Sequence, residues 1–278
     1  FHGMVAGRPD PSDPPEDQEY IVELWENLKV AGKDLYPTYK FIFPASNLDG
    51  IAPARGGSYA EWLVERLLNQ NVAKERALAW QMSPPPLYME GTKVQTPWLF
   101  NFLRNPGKIR HTTVLRMPRF NMSDEEAQAL ANYFAAVDGS PFPYQLIAER
   151  EPAYLNLAND EFHKAFPEKK VDYLSESWQM LNAPLCIKCH SVGGRQVTIS
   201  DPAKDIRGPN LDLAAERLKP DWMLLWLFRP QWVTPYTSMP APLPPQPANS
   251  QPRFPEYFGG DGLRQTVSLR DALVNYYK

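Results

Sequence analysis

The sequence has little cysteine or histidine, no long apolar segment and no excess of basic residues. Of 278 residues, two are Cys and four are His, so thiol chemistry is confined to one place in the chain. A transmembrane helix needs a continuous apolar run of about 18 residues or more; none occurs, so we expect no membrane span. The formal net charge of −3 argues against a nucleic-acid partner, which would favour a strongly basic surface.

Strand patterns are also weak, whereas proline is abundant. The 30 prolines cluster around residues 8–15, 84–86, 141–152 and 230–255. Proline fixes φ and lacks a backbone donor, so these stretches cannot form regular helix or a central strand. The sequence therefore predicts a mainly α fold in which short helices are joined by long Pro-rich irregular segments.

Both cysteines lie in one CxxCH motif, Cys186-Ile187-Lys188-Cys189-His190. Two thioethers from a short loop can fix one edge of a porphyrin, and the adjacent histidine can then ligate the iron axially. A zinc site would need further ligands, and no second CxxC or HxxxH is present. A thioredoxin-like pair would need a βαβ context, and a disulfide across two intervening residues would be strained. The motif therefore predicts one covalently attached haem c.

Residues 171–278 carry further motifs in a fixed order around this one. In chain order these are an amphipathic stretch from Tyr173 to Leu181, the segment Gly208-Pro209-Asn210-Leu211, an apolar helix face between Pro220 and Pro230, the pair Met239-Pro240, and a last helix beginning at a capping box from Ser268 to Asp271. This order resembles that of a class I cytochrome c domain. A proline-rich insertion at 241–265 departs from the family pattern.

The resemblance implies how a haem would be held. In the family the motif's histidine, here His190, is the proximal ligand, and a proline carbonyl, here that of Pro209, accepts its other N–H and fixes the tautomer. The distal ligand is a methionine, here Met239, whose thioether raises the potential. The competing Met180 and Met223 lie at helical positions where methionine usually fills the core. The resemblance also places four residues around the haem: Leu211, Trp222, Trp226 and Tyr236.

The first half of the chain repeats this order without cysteines. Equivalent residues share one constant offset: Pro85 with Pro209, Leu87 with Leu211, Trp98 with Trp222, Phe102 with Trp226, Leu103 with Leu227, and Pro106 with Pro230. Met117-Pro118 corresponds to Met239-Pro240 with two residues inserted. Ser123 to Glu126 then forms the capping box of a closing helix.

No CxxCH motif accompanies this first copy. Residues 62–66, where one would fall, read Trp-Leu-Val-Glu-Arg. We therefore expect a degenerate cytochrome c-like domain whose vacated pocket is filled by bulky side chains: Trp80, Trp98 and Phe120. Two alternatives remain open. His2-Gly3 resembles the end of a Cys-His-Gly haem site, although position 1 is Phe, and a noncovalent haem could lie between a histidine and Met117.

The predicted domain organisation has three parts. A degenerate cytochrome c-like domain covers 1–138, a connecting strap 139–167, and a class I cytochrome c domain with one haem 168–278. Proline and aromatic residues indicate that the strap is packed rather than flexible. The spacing of four apolar residues also predicts an amphipathic helix over 18–31 that packs on the first domain: Ile21, Leu24, Trp25 and Leu28.

The expected function is electron transfer through a single His/Met-ligated haem, as a subunit or domain of a larger redox complex. Such a haem has no open coordination site, so the chain is more an electron carrier than a catalyst. Expected partners are redox proteins such as other cytochromes or membrane-complex subunits. Covalent haem attachment takes place outside the cytoplasm in bacteria, which predicts a periplasmic or otherwise extracytoplasmic location.

Two other functions remain open. If Met239 does not ligate the iron, an open distal site would allow a haem enzyme with peroxidase-like activity or a gas sensor. A diheme peroxidase or a thiosulfate-oxidising cytochrome would need a second haem or a reactive cysteine, and the sequence offers neither. The remaining possibility is a mainly structural subunit whose haem is incidental.

Overall fold

The structure, a computed structural model, is mainly helical, as the sequence predicted. It describes residues 2–7, 19–25, 28–30, 33–35, 38–44, 57–114, 117–141, 145–197, 207–243 and 251–276. The proline cluster at 8–15 and part of the 241–265 insertion lie outside the described residues. The chain forms two compact units, Phe1–Arg55 and Gly56–Lys278. The predicted boundaries at 138 and 167 fall inside the second unit, and the three-part division stays a prediction.

The first unit is an antiparallel β-structure. Its strands are β1 (His2–Gly7), β2 (Glu19–Trp25), β3 (Leu28–Val30), β4 (Lys33–Leu35) and β5 (Thr38–Pro44). The order β1-β2-β5 makes a three-stranded sheet, and β3 pairs with β4. In the central strand, Val22 lies opposite Val5 on one side and Phe41 on the other.

The amphipathic helix predicted over 18–31 is wrong, because this segment forms β2 and β3. Its apolar residues do fall at helical spacing. However, β2 reads Glu-Tyr-Ile-Val-Glu-Leu-Trp, and aromatic and β-branched side chains favour a pleated strand. Antiparallel pairing on both edges decides the outcome, because it satisfies the backbone donors and acceptors of β2 along its length.

The second unit is built from helices. They are α1 (Gly57–Asn69), α2 (Arg76–Met82), α3 (Glu90–Lys93), α4 (Thr96–Arg104), α5 (Asp124–Val137), α6 (Pro152–Ala165), α7 (Tyr173–Leu181), α8 (Pro184–Ile187), α9 (Ala214–Arg217), α10 (Pro220–Phe228), α11 (Pro230–Val233) and α12 (Gly262–Val274). Several begin with proline in the first turn, where the missing N–H costs no helical hydrogen bond. None of the helices in the described ranges is both long and apolar enough to cross a bilayer.

A pair of consecutive helices, α3 and α4, occurs again as α9 and α10, at the constant residue offset found between the two copies of the sequence repeat. Helices α3 and α9 are four residues long, α4 and α10 are nine, and each pair begins and ends at equivalent positions. On α4 the rings of Trp98 and Phe102 stack with their centroids 4.8 Å apart, and on α10 those of Trp222 and Trp226 stack at 5.0 Å. The internal repeat is therefore present in the structure as well as in the sequence.

Helix starts show where a sequence motif determines local structure and where it does not. The capping box before α5 is confirmed: the N–H of Glu126 donates to the Ser123 hydroxyl at 3.2 Å, and the N–H of Ser123 donates to the Glu126 carboxylate at 2.9 Å. The capping box at Ser268 is wrong, because α12 begins at Gly262 and Asp261 caps it. Ser268 is fully buried in mid-helix, where its hydroxyl donates to a carbonyl of the preceding turn.

The second half of the chain, residues 139–278, has one continuous apolar core formed by α7, α10 and α12. Met180 and Met223 belong to it with exposures of 3% and 2%, so both fill the core, as their helical spacing indicated. Phe162 of α6 packs into the same core, so a helix of the 139–167 segment is packed against this half. The CxxCH motif lies at the edge of this core, next to α7.

Candidate functional site

The CxxCH motif begins with the last two residues of α8 and continues into one tight turn. The N–H groups of Cys189 and His190 both donate to the carbonyl of Cys186, at 3.2 and 3.0 Å. Both cysteines are free and partly exposed. Burial raises the pKa of the Cys186 thiol to about 11, with a smaller contribution from Cys189. The motif therefore presents two thiols and one imidazole on the same turn.

The ring of His190 is held through one of its two nitrogens. Its Nδ1 lies 2.7 Å from the carbonyl oxygen of Pro209, and because a carbonyl only accepts, Nδ1 must carry the proton. The remaining lone pair is then on Nε2. Burial lowers the pKa of His190, although the bond to Pro209 acts in the opposite direction. The imidazole is therefore neutral near pH 7, as a metal ligand must be.

Gly208 lets the imidazole lie directly against the backbone. A Cβ at position 208 would stand 2.6 Å from Nδ1 and 2.8 Å from Nε2 of His190, which is closer than real side chains approach. The N–H of Gly208 also donates to the carbonyl of Cys189 at 2.8 Å. Only glycine leaves room for this approach, so Gly208 and Pro209 together set the position and the tautomer of the ring.

The thioether of Met239 lies in the loop that follows α11. The indole Nε1 of Trp226 donates to the Met239 sulfur at 2.9 Å, and the side-chain amide of Gln231 donates to the Met239 carbonyl at 2.8 Å. A thioether sulfur is a weak acceptor, so the first bond orients the side chain at little cost to its donor capacity. Both contacts come from α10 and α11, directly upstream in the chain.

The first half of the chain supports this loop from the other side. The ring of Tyr236 stacks on Trp80 with a centroid distance of 5.6 Å, and the Ser238 hydroxyl donates to the side-chain oxygen of Gln81 at 2.7 Å. Both contacts are made by residues just before Met239 in the chain. Tyr236, which the resemblance placed around a haem, thus packs on Trp80 in this structure.

The other expected site residues, apart from Tyr236, belong to or border the core of the second half. Leu211, Trp226, Met239 and Cys186 are partly buried and pack against the core of the second half, to which the 7%-exposed Trp222 belongs. The indole nitrogen of Trp222 is buried without a hydrogen-bond partner among the described residues. These residues therefore share one core with Cys186, whereas Tyr236 packs on Trp80.

The residues present fit a covalently attached haem in donor chemistry. Two free thiols, an imidazole with its lone pair on Nε2 and a soft thioether are the groups that such a haem requires. In the described part of the chain, no cluster of three His, Cys, Asp or Glu side chains could hold a metal ion by itself. The cavity beside Cys186 measures only about 10 Å³, so its apolar lining must move apart to admit a porphyrin.

The equivalent region of the first half is arranged differently. Trp98 and Phe102 line an open cleft of about 860 Å³. Phe120 is 60% exposed, and Trp80 packs in a separate core with α1. The expectation that Trp80, Trp98 and Phe120 fill one vacated pocket is therefore wrong, because the three residues lie in three different surroundings. Residues 62–66 are helical and belong to α1.

Sequence reasoning missed the supporting residues of the site. Gly208 carried a signal, since glycine directly before the functional proline suggests a close backbone approach. Gln81 and Trp80 carried none for this role, because their contacts join residues distant in the chain, and Gln231 carried none although it lies close to Met239 in the chain. Comparison with protein-family profiles, with characterised proteins and with solved structures found no significant match. The functional argument therefore rests on the residues and their geometry.

Proposed function

We propose that this chain is an electron-transfer protein with one haem c, attached through Cys186 and Cys189 and ligated by His190 and Met239. The observation that carries the proposal is the position of His190. Its Nδ1 bonds to the Pro209 carbonyl at 2.7 Å, and His190 itself lies on the same turn as two free thiols. We include in the proposal that residues 168–278 form a class I cytochrome c domain preceded by a degenerate copy.

The roles of the residues follow from their contacts. A haem bound here would supply a reversible one-electron iron couple. Pro209 accepts the Nδ1 proton of His190 and so makes Nε2 a better donor. The Met239 thioether would favour the reduced state of a bound haem, and the Trp226 N–H on its sulfur orients the side chain. The core formed by α7, α10 and α12 excludes water from this side of the site.

Partners and location follow from the same proposal. With both axial positions filled by the protein, electrons would pass through an exposed haem edge to other redox proteins, such as cytochromes or subunits of a membrane complex. Because covalent haem attachment occurs outside the bacterial cytoplasm, we place the protein in the periplasm or an equivalent compartment. A nucleic-acid partner is not part of the proposal, given the net charge of −3.

One observation favours a second candidate function. The Met239 sulfur is engaged by the Trp226 N–H, and if this bond persists with haem attached, the sulfur could stay off the iron. The distal position would then be open, as in a peroxidase-like haem enzyme or a gas sensor. Met239 therefore decides between an electron carrier and a ligand-binding protein.

The first test measures attachment. Intact mass and haem staining of the protein matured in an extracytoplasmic compartment should show one haem per chain. The double substitution Cys186→Ala and Cys189→Ala removes both thioether bonds, so the chain should then carry no covalently attached haem. Two haems per chain would contradict the proposal that the first half lacks one, and no haem would contradict the function altogether.

The second test identifies the distal ligand and uses the repeat as its control. The oxidised protein should show the long-wavelength absorption band of methionine–iron coordination, and the reduced protein should not bind carbon monoxide. Met239→Ala should remove the band and permit carbon monoxide binding. Met117→Ala, its equivalent in the first half, should change neither. A wild-type protein that lacks the band and binds carbon monoxide would support the open-site alternative instead.

A further inference from the structure

The two halves of the second unit meet at a local two-fold axis. Val94 and Leu218, which are equivalent in the repeat, form an isolated antiparallel bridge. The flanking hydrogen bonds run from the N–H of Gln95 to the carbonyl of Arg217 at 2.8 Å, and from the N–H of Lys219 to the carbonyl of Lys93 at 2.9 Å. Gln95 is equivalent to Lys219, and Lys93 to Arg217, so exchanging the two halves converts one bond into the other. This is the pattern of an isologous contact.

Cationic side chains cross this axis in the same symmetric way. The Lys93 ammonium lies 6.0 Å from the ring centre of Trp222, and the Arg217 guanidinium lies 5.2 Å from that of Trp98. Lys93 is equivalent to Arg217, and Trp98 to Trp222. Arg110 is close enough for its charge to act on both Lys93 and Arg217. Three cations from the two halves thus converge at their junction.

Within the described residues, the positive charges of this cluster outnumber the carboxylates that act on them. Among the described residues, Glu90 is the one carboxylate that acts on all three cations, and it forms an ion pair with the Lys93 ammonium at 2.5 Å. Lys93 is 6% exposed. Burial lowers the pKa of Lys93 to about 8 and that of Arg217 to about 10. Arg110 and Arg217 are half-buried, and an excess of positive charge in such surroundings is costly unless an anion compensates it.

Two buried donors near this cluster lack acceptors. The Nε of Arg217 and the Nε1 of Trp222 have no hydrogen-bond partner in the described part of the chain. Buried polar groups are nearly always paired, and these two are donors only. The missing group must therefore be an acceptor, and the surplus of cations indicates that it is negatively charged.

The cluster lies next to the proposed haem ligands. Trp222, which contacts Lys93, stacks on Trp226 at 5.0 Å, and Trp226 donates to the Met239 sulfur. We propose that Lys93, Arg110 and Arg217, with the Trp222 indole N–H, form a carboxylate-binding site that takes the propionate groups of the haem. This inference rests on the proposed haem attachment. It makes the first half a contributor to the haem site of the second, since Lys93 and Arg110 belong to the first half.

Loss of a cation from the site should lower the haem potential. In the haem-loaded protein, Arg217→Gln and Lys93→Gln should each reduce the equilibrium constant for haem reduction about tenfold, which is about 59 mV for one electron. A nearby cation favours the reduced, less positive iron, so its removal favours the oxidised state. Arg195→Gln removes an exposed cation close to the motif in sequence and should change the constant less than about twofold, because solvent screens it.

Direct evidence would come from the propionates themselves. Infrared difference spectra between the oxidised and reduced protein, with the propionate carboxyls labelled with ¹³C, report the labelled carboxylate bands alone. Arg217→Gln and Lys93→Gln should both shift these bands, whereas Arg195→Gln should leave them in place. If Arg217→Gln does not fold, the band shift can still be measured in Lys93→Gln, whose substitution lies in the first half.

The outcomes separate this inference from the proposed function. Haem attached with bands and potential unchanged in both variants would overturn the propionate site and leave the function standing. A rise in melting temperature with inorganic phosphate in the wild type but not in Arg217→Gln, with unchanged bands, would assign the cluster to a soluble anion and also overturn it. A wild-type protein without haem would overturn the proposed function itself.

Discussion

At position 208 a hydrogen atom in place of a side chain determines how the histidine of the motif is oriented. The imidazole of His190 lies against the Gly208 backbone while its Nδ1 bonds to Pro209. Contact and hydrogen bond therefore come from consecutive residues on one segment. The two constraints can be tested separately, because Gly208 leaves room for the ring and the Pro209 carbonyl accepts a hydrogen bond from it.

Gly208→Ala should displace the imidazole and destabilise the protein. The added Cβ would overlap the ring, and relieving such overpacking costs about 1–3 kcal/mol. Urea unfolding measures the loss of stability, and the absorption spectrum of the haem-loaded protein reports altered histidine ligation. Gly107→Ala is the matched control, because a Cβ there meets nothing within 4 Å. Equal effects of the two substitutions would contradict the role given to Gly208.

At the scale of elements, α7 leads the chain into the motif and its start is fixed by Asp172. The Asp172 carboxylate accepts from the N–H and the hydroxyl of Ser175, each at 2.8 Å. Burial alone would raise the pKa of Asp172, but these hydrogen bonds and those of the neighbouring backbone lower it overall. The cap therefore stabilises the helix most when the carboxyl is ionised.

Asp172→Ala should cost about 1 kcal/mol of stability near pH 7, the usual value of an N-cap. Because the pKa of Asp172 is lower in the folded than in the unfolded state, its ionic contribution is complete above the unfolded value of about 3.9. It is lost as pH falls through the folded value. Urea unfolding from pH 7 to pH 2 should show the wild-type advantage shrinking below about pH 4.

The control for this element is Asp172→Asn, which keeps an acceptor for the Ser175 N–H without an ionisable group. It should retain most of the stability at pH 7 and lack that pH dependence. If the difference between the wild type and Asp172→Ala stayed constant over the whole range, the carboxylate would not act as an ionised cap.

For the whole molecule, the second unit contains every described contact of the candidate site. The Met239 loop is supported by Gln81 and Trp80 from the first half and by α10 and α11 from the second. Both halves belong to the compact unit Gly56–Lys278. The local two-fold axis at Val94 and Leu218 joins them, so the site depends on both copies of the repeat.

A chain of residues 56–278 should therefore keep the spectrum of the full protein when haem is attached. The comparison is a chain of residues 139–278, which lacks the first half. That shorter chain should lose the methionine–iron band, because nothing then supports the loop at Tyr236 and Ser238. Absorption spectra of the oxidised forms measure both. A lost band in the longer chain would show that residues 1–55 are needed for methionine ligation. A retained band in the shorter chain would show that support from the first half is not needed.

The sequence by itself determined the features that depend on neighbouring residues. These are the tight CxxCH turn, the proline-started helices, the capping box at Ser123 and the repeat with its stacked aromatic pairs. Each follows from local geometry: a proline in a first turn, or a hydroxyl three residues before a carboxylate, acts within one helical turn. The mainly α class followed from these elements, whereas the haem itself stays a prediction.

Only the tertiary structure decided the features that depend on residues far apart in the chain. Residues 19–25 became a strand because β1 and β5 pair with both edges, and Ser268 did not cap α12 because packing buries it in mid-helix. The cation cluster formed because the two copies meet at an axis that neither copy encodes alone. Burial and pairing across the chain outweigh local patterns wherever the two conflict.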